Sequence, residues 1–359
     1  MANNIEKYGL EAAAEMSNFE IAHIQAIKNL VEKENIDCDF TLTRSFDVFM
    51  SEAFAKKSKD GFESLVEKGL TSINDVQFTP AKLAKRVSGV KGAKGCASFT
   101  AAHLWPYKFI MHLLASTVSK GLNLQTHTPV THVSSPSDAG EPCLVSTTRG
   151  NIKAKKVIFA SNGYTAGVLP EYTEKIVPCR GTCCRIVTPD LEKAPYLTNS
   201  YVLGQGGGIY DYLIPRADGS IIVGGAKATM GKDRSIWYNN MDDSEVIEPA
   251  KDYFKTYMQD HFLGWEDSGA YVEKVWTGVM GYTSDLQPHI GSIPGRPNQY
   301  ILAGFNGHGM PIIFLAAKGI AEMIKNGKTY EQTGLPRVYR TSEERLQSIV
   351  NKINVSSLD

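Results

Sequence analysis

The chain has 359 residues, of which 42% are hydrophobic and 21% are charged, a composition that predicts a soluble globular protein of about two domains. Its 38 basic and 38 acidic residues give a net charge of zero, which argues against a nucleic-acid-binding protein and against attachment to a membrane by a basic surface. The sequence shows no secretory signal and no apolar run long enough to span a bilayer. Six cysteines without a CxxC pair complete the prediction of a cytoplasmic, reduced protein with no metal site.

The first seventy residues predict a helix, a strand and a second helix. Apolar residues recur at helical spacing between Ile21 and Val31. Residues 40–50 alternate as a half-buried strand does, and the charged residues 51–70 predict a solvated helix.

Residues 105–168 predict a helix, a strand, a hairpin, a buried strand and a glycine turn, in that order. A proline follows Trp105 and Gly121 ends the helix. The apolar run 157–160 predicts a buried strand, which ends in the small-residue turn SNGYTAGVLP. This order is typical of the second half of a dinucleotide-binding α/β domain.

Residues 176–283 are rich in β-branched and aromatic residues with turns at regular intervals, which predicts an antiparallel sheet in a separate lobe. Residues 299–328 then predict a strand, a Gly-rich turn and a helix, with Pro311 in the first helical turn and Gly327 at the helix end. The predicted fold class is α/β, of the mixed α+β kind.

The Gly-rich turn GFNGHGM is the strongest motif for chemistry. Gly304, Gly307 and Gly309 allow a ligand to approach the backbone, and the helix that follows directs its first N–H groups toward that ligand. A helix N-terminus favours negative charge by about 0.3–1 kcal/mol at exposed sites, which suits the electron-rich edge of a reduced flavin. A tight turn without any ligand is the alternative.

Five segments in a fixed order resemble one known family. Residues 276–324 resemble the C-terminal flavin segment of the D-amino-acid-oxidase/sarcosine-oxidase-like FAD-dependent oxidoreductases. THTPVTHV and KVIFASNGYTAGVLP are similar to the adenine-contacting strand and the second cofactor turn of that family. VPCRGTCCRIV and GGIYDYLIPRADGSIIVGG are similar to strands of its substrate domain. The resemblance runs from about residue 10 to residue 330.

The resemblance implies an incomplete FAD-binding Rossmann-like domain together with an antiparallel-sheet substrate domain. It divides the chain into helices and strands of the substrate domain (1–98), the middle segment of the FAD-type domain (99–170), the antiparallel substrate domain (171–283), the C-terminal segment of the FAD-type domain (284–330) and a peripheral tail (331–359).

The resemblance also implies site residues. The implied FAD contacts are Val130, Ser161, Asn162, Gly163, Gly307, His308, Gly309 and Met310. The implied substrate contacts are Tyr210, Tyr212, Arg216 and Trp105. The acid–base candidates are His308, Tyr212 and His103. For the two tyrosines a core position is the alternative, for Arg216 a solvent-exposed turn, and for the histidines a structural role.

Three departures from the family pattern stand out. No GxGxxG occurs in the 359 residues, so we expect a truncated member that lacks the first βαβ unit. Met280 and Gly281 stand where the family has Arg-Pro, which weakens the case for amino-acid substrates. No cysteine lies near Gly278, so FAD would be held non-covalently.

Two functions follow from the sequence. The first is FAD-dependent oxidation of a small amine or amino-acid-like substrate. The alternative is a cofactor-free pseudo-oxidase that catalyses an isomerisation or cyclisation, or that only binds a ligand. Because a missing pyrophosphate turn would weaken FAD binding by about three orders of magnitude, we predict a colourless preparation. Missing strands would expose a sheet edge, which predicts a homodimer or a locally covered edge.

Overall fold

The computed structural model of the protein describes residues 2–136, 138, 140–230 and 233–353. The helices are α1 (Ala2–Glu34), α2 (Glu52–Glu67), α3 (Ala81–Ser88), α4 (Pro106–Ser119), α5 (Glu248–Lys251), α6 (Tyr257–His261), α7 (Ile313–Asn326) and α8 (Glu343–Gln347). The strands are β1 (Thr41–Phe49), β2 (Gln77–Pro80), β3 (Gly95–His103), β4 (Val130–Val133), β5 (Cys143–Thr147), β6 (Gly150–Ala154), β7 (Val157–Phe159), β8 (Ile176–Val187), β9 (Ser200–Gly206), β10 (Ile209–Pro215), β11 (Ile221–Gly225), β12 (Tyr271–Thr283), β13 (His289–Ser292) and β14 (Gln299–Ala303).

The largest sheet has eight strands in the order β12-β8-β11-β10-β9-β1-β3-β2. Neighbouring strands are antiparallel except β1 and β9, which run parallel. The sheet therefore combines strands from two separate stretches of sequence, 41–103 and 176–283. The antiparallel sheet predicted for the second stretch is present, and the first stretch extends it.

The two faces of this sheet differ because successive side chains of a strand point to opposite sides. One face carries buried apolar side chains such as Val48, Leu203, Leu213 and Val223, which form the main hydrophobic core. The opposite face is more polar and holds the candidate site. One row of register-paired residues crosses it: Ala97, Asp47, Val202, Tyr212, Gly224, Cys183 and Trp276.

A smaller three-stranded sheet has the order β13-β14-β7, and in it β14 and β7 are parallel. Helix α7 follows β14 through the Gly-rich turn, as the sequence predicts. Met16 of α1 and Ile320 of α7 share one buried cluster with Ile290 and Leu302 of the sheet. Strands β4, β5 and β6 form a separate antiparallel sheet. The mixed α/β fold class is thus confirmed.

The C-terminal segment, expected as a peripheral tail, contributes to the core in its described part. Leu335, Tyr339 and Ile353 are buried. The Arg345 guanidinium donates to both carboxylate oxygens of Asp285, at 2.7 and 3.1 Å. Residues 354–359 lie outside the described part of the chain. No helix among the described residues is long and apolar enough to cross a membrane.

Candidate functional site

The Gly-rich turn is fixed to the second predicted cofactor turn by one side chain. Asn162 Oδ1 accepts hydrogen bonds from the backbone N–H of Gly304 at 2.9 Å and of Phe305 at 3.3 Å. Asn162 has a φ of 45°, a left-handed conformation that asparagine tolerates better than most residues. The structure therefore brings two predicted cofactor segments together, and Asn162 joins them, a role that the sequence did not reveal.

Glycines allow the same two turns to pack against β12. A Cβ on Gly163 would lie 3.0 Å from the Met280 carbonyl oxygen, and a Cβ on Gly281 would lie 2.6 Å from Asn162 Oδ1. Gly163 is accordingly buried. Gly281, noted in the sequence only as a departure from the family pattern, is required here for close backbone packing.

Three tyrosines of the large sheet lie within electrostatic reach of one another, and one of them, Tyr282, lies beside the turn. Tyr212 is 3.0 Å from Cys183, measured from its hydroxyl oxygen to Sγ. Tyr282 lies under the turn, because a Cβ on Gly307 would be 3.0 Å from its hydroxyl oxygen. Tyr210 is 43% exposed. Burial raises the pKa of Tyr212 and Tyr282 above the ordinary value, and both phenols are protonated at neutral pH.

A core position was the alternative predicted for Tyr210 and Tyr212. In the structure their side chains lie on the face opposite the main core. Cys183, Gly224 and Tyr282 were not predicted as part of this site. Each stands in a strand segment that the sequence identified. The register across the sheet brings Gly224 and Cys183 beside Tyr212. Tyr282 is six residues away from that row along β12 and interacts with Tyr212 electrostatically.

Charged groups interact with His308 of the turn. His308 Nε2 lies 3.3 Å from Glu20 Oε2 of α1, and 62% of the His308 side chain is exposed. The hydrogen bond with Glu20 raises the pKa of His308 above its ordinary value. Asp47, in the row that contains Tyr212, interacts electrostatically with His308, and burial raises the pKa of Asp47 to about 6.

Asp47 should make stability depend on pH. Its folded-state pKa of about 6 exceeds the ordinary 3.8, so the folded state binds the proton more tightly, and the free energy of unfolding falls as the pH rises from about 4 to about 6. We expect Asp47→Asn to raise the free energy of unfolding by about 2–3 kcal/mol at pH 8 and to change it little at pH 4. Denaturant unfolding across this range measures the effect. Asp267→Asn, at an exposed position, is the control, and equal changes at both pH values would contradict the assignment.

Three predicted residues lie elsewhere on the sheet. The Arg216 guanidinium stacks over the Trp105 ring at 4.2 Å and pairs with Asp218 at 3.3 Å. Arg216 is four residues from Tyr212, about 13 Å along β10. His103 is six residues along β3 from the row that contains Tyr212, about 20 Å. Trp105, which is two residues from His103 in the sequence, therefore lies with Arg216 at one end of the sheet. The structure does not bring any of these three residues to Tyr212.

The turn has groups that fit a flavin. Gly307 and Met310 are exposed, and the backbone N–H groups of Gly307, Gly309 and Met310 donate to no protein acceptor in the part of the chain that the structure describes. Such donors suit the electron-rich edge of an isoalloxazine ring. Val130, predicted to contact adenine, is 40% exposed on β4, and Ser161 Oγ lies 3.0 Å from Thr165 Oγ1. The residues present therefore fit the isoalloxazine end of FAD.

Comparison with known proteins shows the family of this chain. A family model described as FAD dependent oxidoreductase (DAO) matches residues 5–323. The chain belongs to this family of FAD-dependent oxidoreductases, and the resemblance found in the sequence is confirmed.

Among curated relatives, gamma-glutamylputrescine oxidoreductase of Escherichia coli (strain K12) is 24% identical over 330 residues, which cover 89% of this chain and 70% of the relative. The probable oxidoreductase OrdL of Haemophilus influenzae is 22% identical, with 93% and 74% covered. Among solved structures, glycine oxidase from Geobacillus kaustophilus has a TM-score of 0.70 at 17% identity, covering 86% of this chain and 79% of that one. L-proline dehydrogenase from P. horikoshii has a TM-score of 0.69 at 18% identity, with 89% and 82% covered. These two structures share the fold of this chain.

Proposed function

We propose that this protein catalyses the FAD-dependent oxidation of a C–N bond in a small amine or amino-acid-like substrate. The observation that carries the proposal is the position of the Gly-rich turn beside Tyr282, which interacts electrostatically with Tyr210 and Tyr212. FAD, when bound, supplies the acceptor for the two electrons that such an oxidation releases. Relatives named for gamma-glutamylputrescine, glycine and L-proline support the substrate class.

The chain's own residues favour recognition of the amine over recognition of a carboxylate. The tyrosines offer apolar ring surface and neutral hydroxyls to a small substrate. Arg216, the predicted carboxylate partner, is already paired with Asp218 and stacked on Trp105. His308 and Asp47 are the groups beside the turn that can exchange a proton near neutral pH, as the deprotonation of an ammonium substrate requires.

The test combines flavin binding with substrate reduction. We expect added FAD to bind the purified protein, with a change in its visible absorbance, and we expect substrate to bleach that absorbance in the absence of oxygen. The substrate panel is glycine, L-proline, gamma-glutamylputrescine and an alkylamine without a carboxylate. We expect Tyr212→Phe to slow bleaching about 10-fold at unchanged FAD affinity, because the substitution removes one hydrogen bond.

Tyr196→Phe, at a side chain that is 76% exposed, is the matched control and should bleach at the wild-type rate. A colourless protein that takes up no added FAD would contradict the proposal and favour the cofactor-free alternative. If FAD binds but no amine reduces it, the proposed cofactor stands and the proposed substrate class is rejected.

A further inference from the structure

Helix α7 begins without a capping side chain from its own segment. Its N-cap residue is Ile312, which makes no side-chain hydrogen bond. The first turn of a helix leaves backbone N–H groups without intrahelical partners, and a side-chain acceptor usually satisfies one of them. In this protein the acceptor comes from α1: the Leu315 N–H donates to His23 Nε2 at 3.0 Å.

The surroundings of His23 define its chemical state. His23 is 3% exposed, and its Nδ1 lies 2.9 Å from the Phe19 carbonyl oxygen, one turn earlier in α1. A carbonyl oxygen only accepts hydrogen bonds, so Nδ1 carries the proton and Nε2 is free to accept from Leu315. Both ring nitrogens of the neutral imidazole are therefore satisfied.

The same face of α1 contacts the Gly-rich turn at a second point. Glu20 precedes His23 by three residues, a spacing that places two side chains on one face of a helix. Glu20 Oε2 lies 3.3 Å from His308 Nε2, within the turn. Helix α1 thus holds the turn at His308 and the helix that follows it at Leu315.

We propose that His23 is a positioning residue: it caps α7 from a distant part of the chain and, together with Glu20, holds the turn from Gly304 to Met310 in the shape that presents its N–H groups to a ligand. The cap itself is a property of the protein alone. Its effect on FAD rests on the function proposed above.

Hydrogen–deuterium exchange of the protein without added FAD tests the cap. His23→Leu keeps most of the side-chain volume and removes the acceptor, whereas His23→Gln retains an acceptor at similar reach. We expect the Leu315 amide to exchange about 10-fold faster in His23→Leu, and at close to the wild-type rate in His23→Gln. Met16→Ala is the matched control, because Met16 belongs to the buried cluster that α1 shares with α7, whereas the acceptor of the Leu315 N–H is His23.

The outcomes separate a cap from general helix packing. Equal exchange at Leu315 in His23→Leu and Met16→Ala, after correction for the loss of global stability, would overturn the proposal, as would failure of His23→Gln to restore protection.

FAD titration of the same variants is the second readout. Weaker FAD binding in His23→Leu, restored in His23→Gln, supports the effect on the turn, and unchanged affinity rejects it. If the wild-type protein binds no FAD, the proposed function fails while the exchange result still decides the cap.

Discussion

Replacing Gly224 with alanine is expected to displace Tyr212 and to abolish most of the proposed amine oxidation. A Cβ at position 224 would lie 2.2 Å from the Tyr212 hydroxyl oxygen, far inside van der Waals contact. The ring now lies across Gly224 and reaches Cys183 on the next strand, so it must swing away and lose that contact. We expect a loss of about 1–3 kcal/mol in the free energy of unfolding, because the end of a side chain moves more readily than backbone.

Gly278→Ala is the control for this substitution. Gly278 also lies in the large sheet, and a Cβ there would meet no atom within 4 Å. We expect it to leave the free energy of unfolding near the wild-type value. The double variant Gly224→Ala, Tyr212→Ala should recover stability relative to Gly224→Ala, because the clashing ring is gone. Wild-type turnover in Gly224→Ala would show that the position of Tyr212 does not matter for catalysis.

Replacing Asn162 with alanine is expected to separate the two cofactor turns. The substitution leaves the N–H groups of Gly304 and Phe305 without their acceptor, at a cost of about 1–3 kcal/mol for each buried donor. It also places alanine in a left-handed backbone conformation, which costs about 1 kcal/mol more. We expect the free energy of unfolding to fall by about 3–7 kcal/mol in denaturant unfolding, and FAD affinity to fall with it.

Two further variants divide this loss between its causes. Asn162→Gly removes the acceptor, but glycine tolerates the left-handed backbone. Its free energy of unfolding should therefore fall by most of the amount expected for Asn162→Ala. Asn239→Ala changes an exposed asparagine with a φ of 50° and should show the backbone cost alone. If Asn162→Gly were as stable as the wild type, the hydrogen bonds to the Gly-rich turn would contribute nothing.

The features that were predicted from the sequence are those that local patterns of residues determine. The strand–turn–helix that contains Gly304, Gly307 and Gly309 was predicted with Gly327 at the helix end, because glycine permits the left-handed backbone that ends a helix. Pro311 was expected in the first helical turn, but in the structure it precedes the N-cap residue Ile312. The antiparallel sheet was predicted from alternation and regular turns. These features require no knowledge of distant contacts.

The parts of the site that were not predicted depend on contacts between distant residues. Asn162 and Gly304 are 142 residues apart, and His23 and Leu315 are 292 apart. A single sequence contains no signal for such pairs. Asp47 and Cys183 reach the site through the register of several strands, and a shift of one residue would turn each of them to the opposite face. Arg216 was predicted as a substrate contact by resemblance. Its position relative to the site depends on the register of β10 with its neighbouring strands.

The single parallel pairing in the large sheet, between β1 and β9, has a consequence for how the protein folds. It joins the unit formed by β1, β2 and β3 to the strands from residues 176–283, and Asp47 and Tyr212 lie on opposite sides of that junction. Each unit can form its own antiparallel pairs early, because those contacts are nearer in sequence. The junction closes a loop of more than a hundred residues, which is entropically slow to form. We therefore expect the face that carries Asp47 and Tyr212 to be among the last features of the molecule to be assembled.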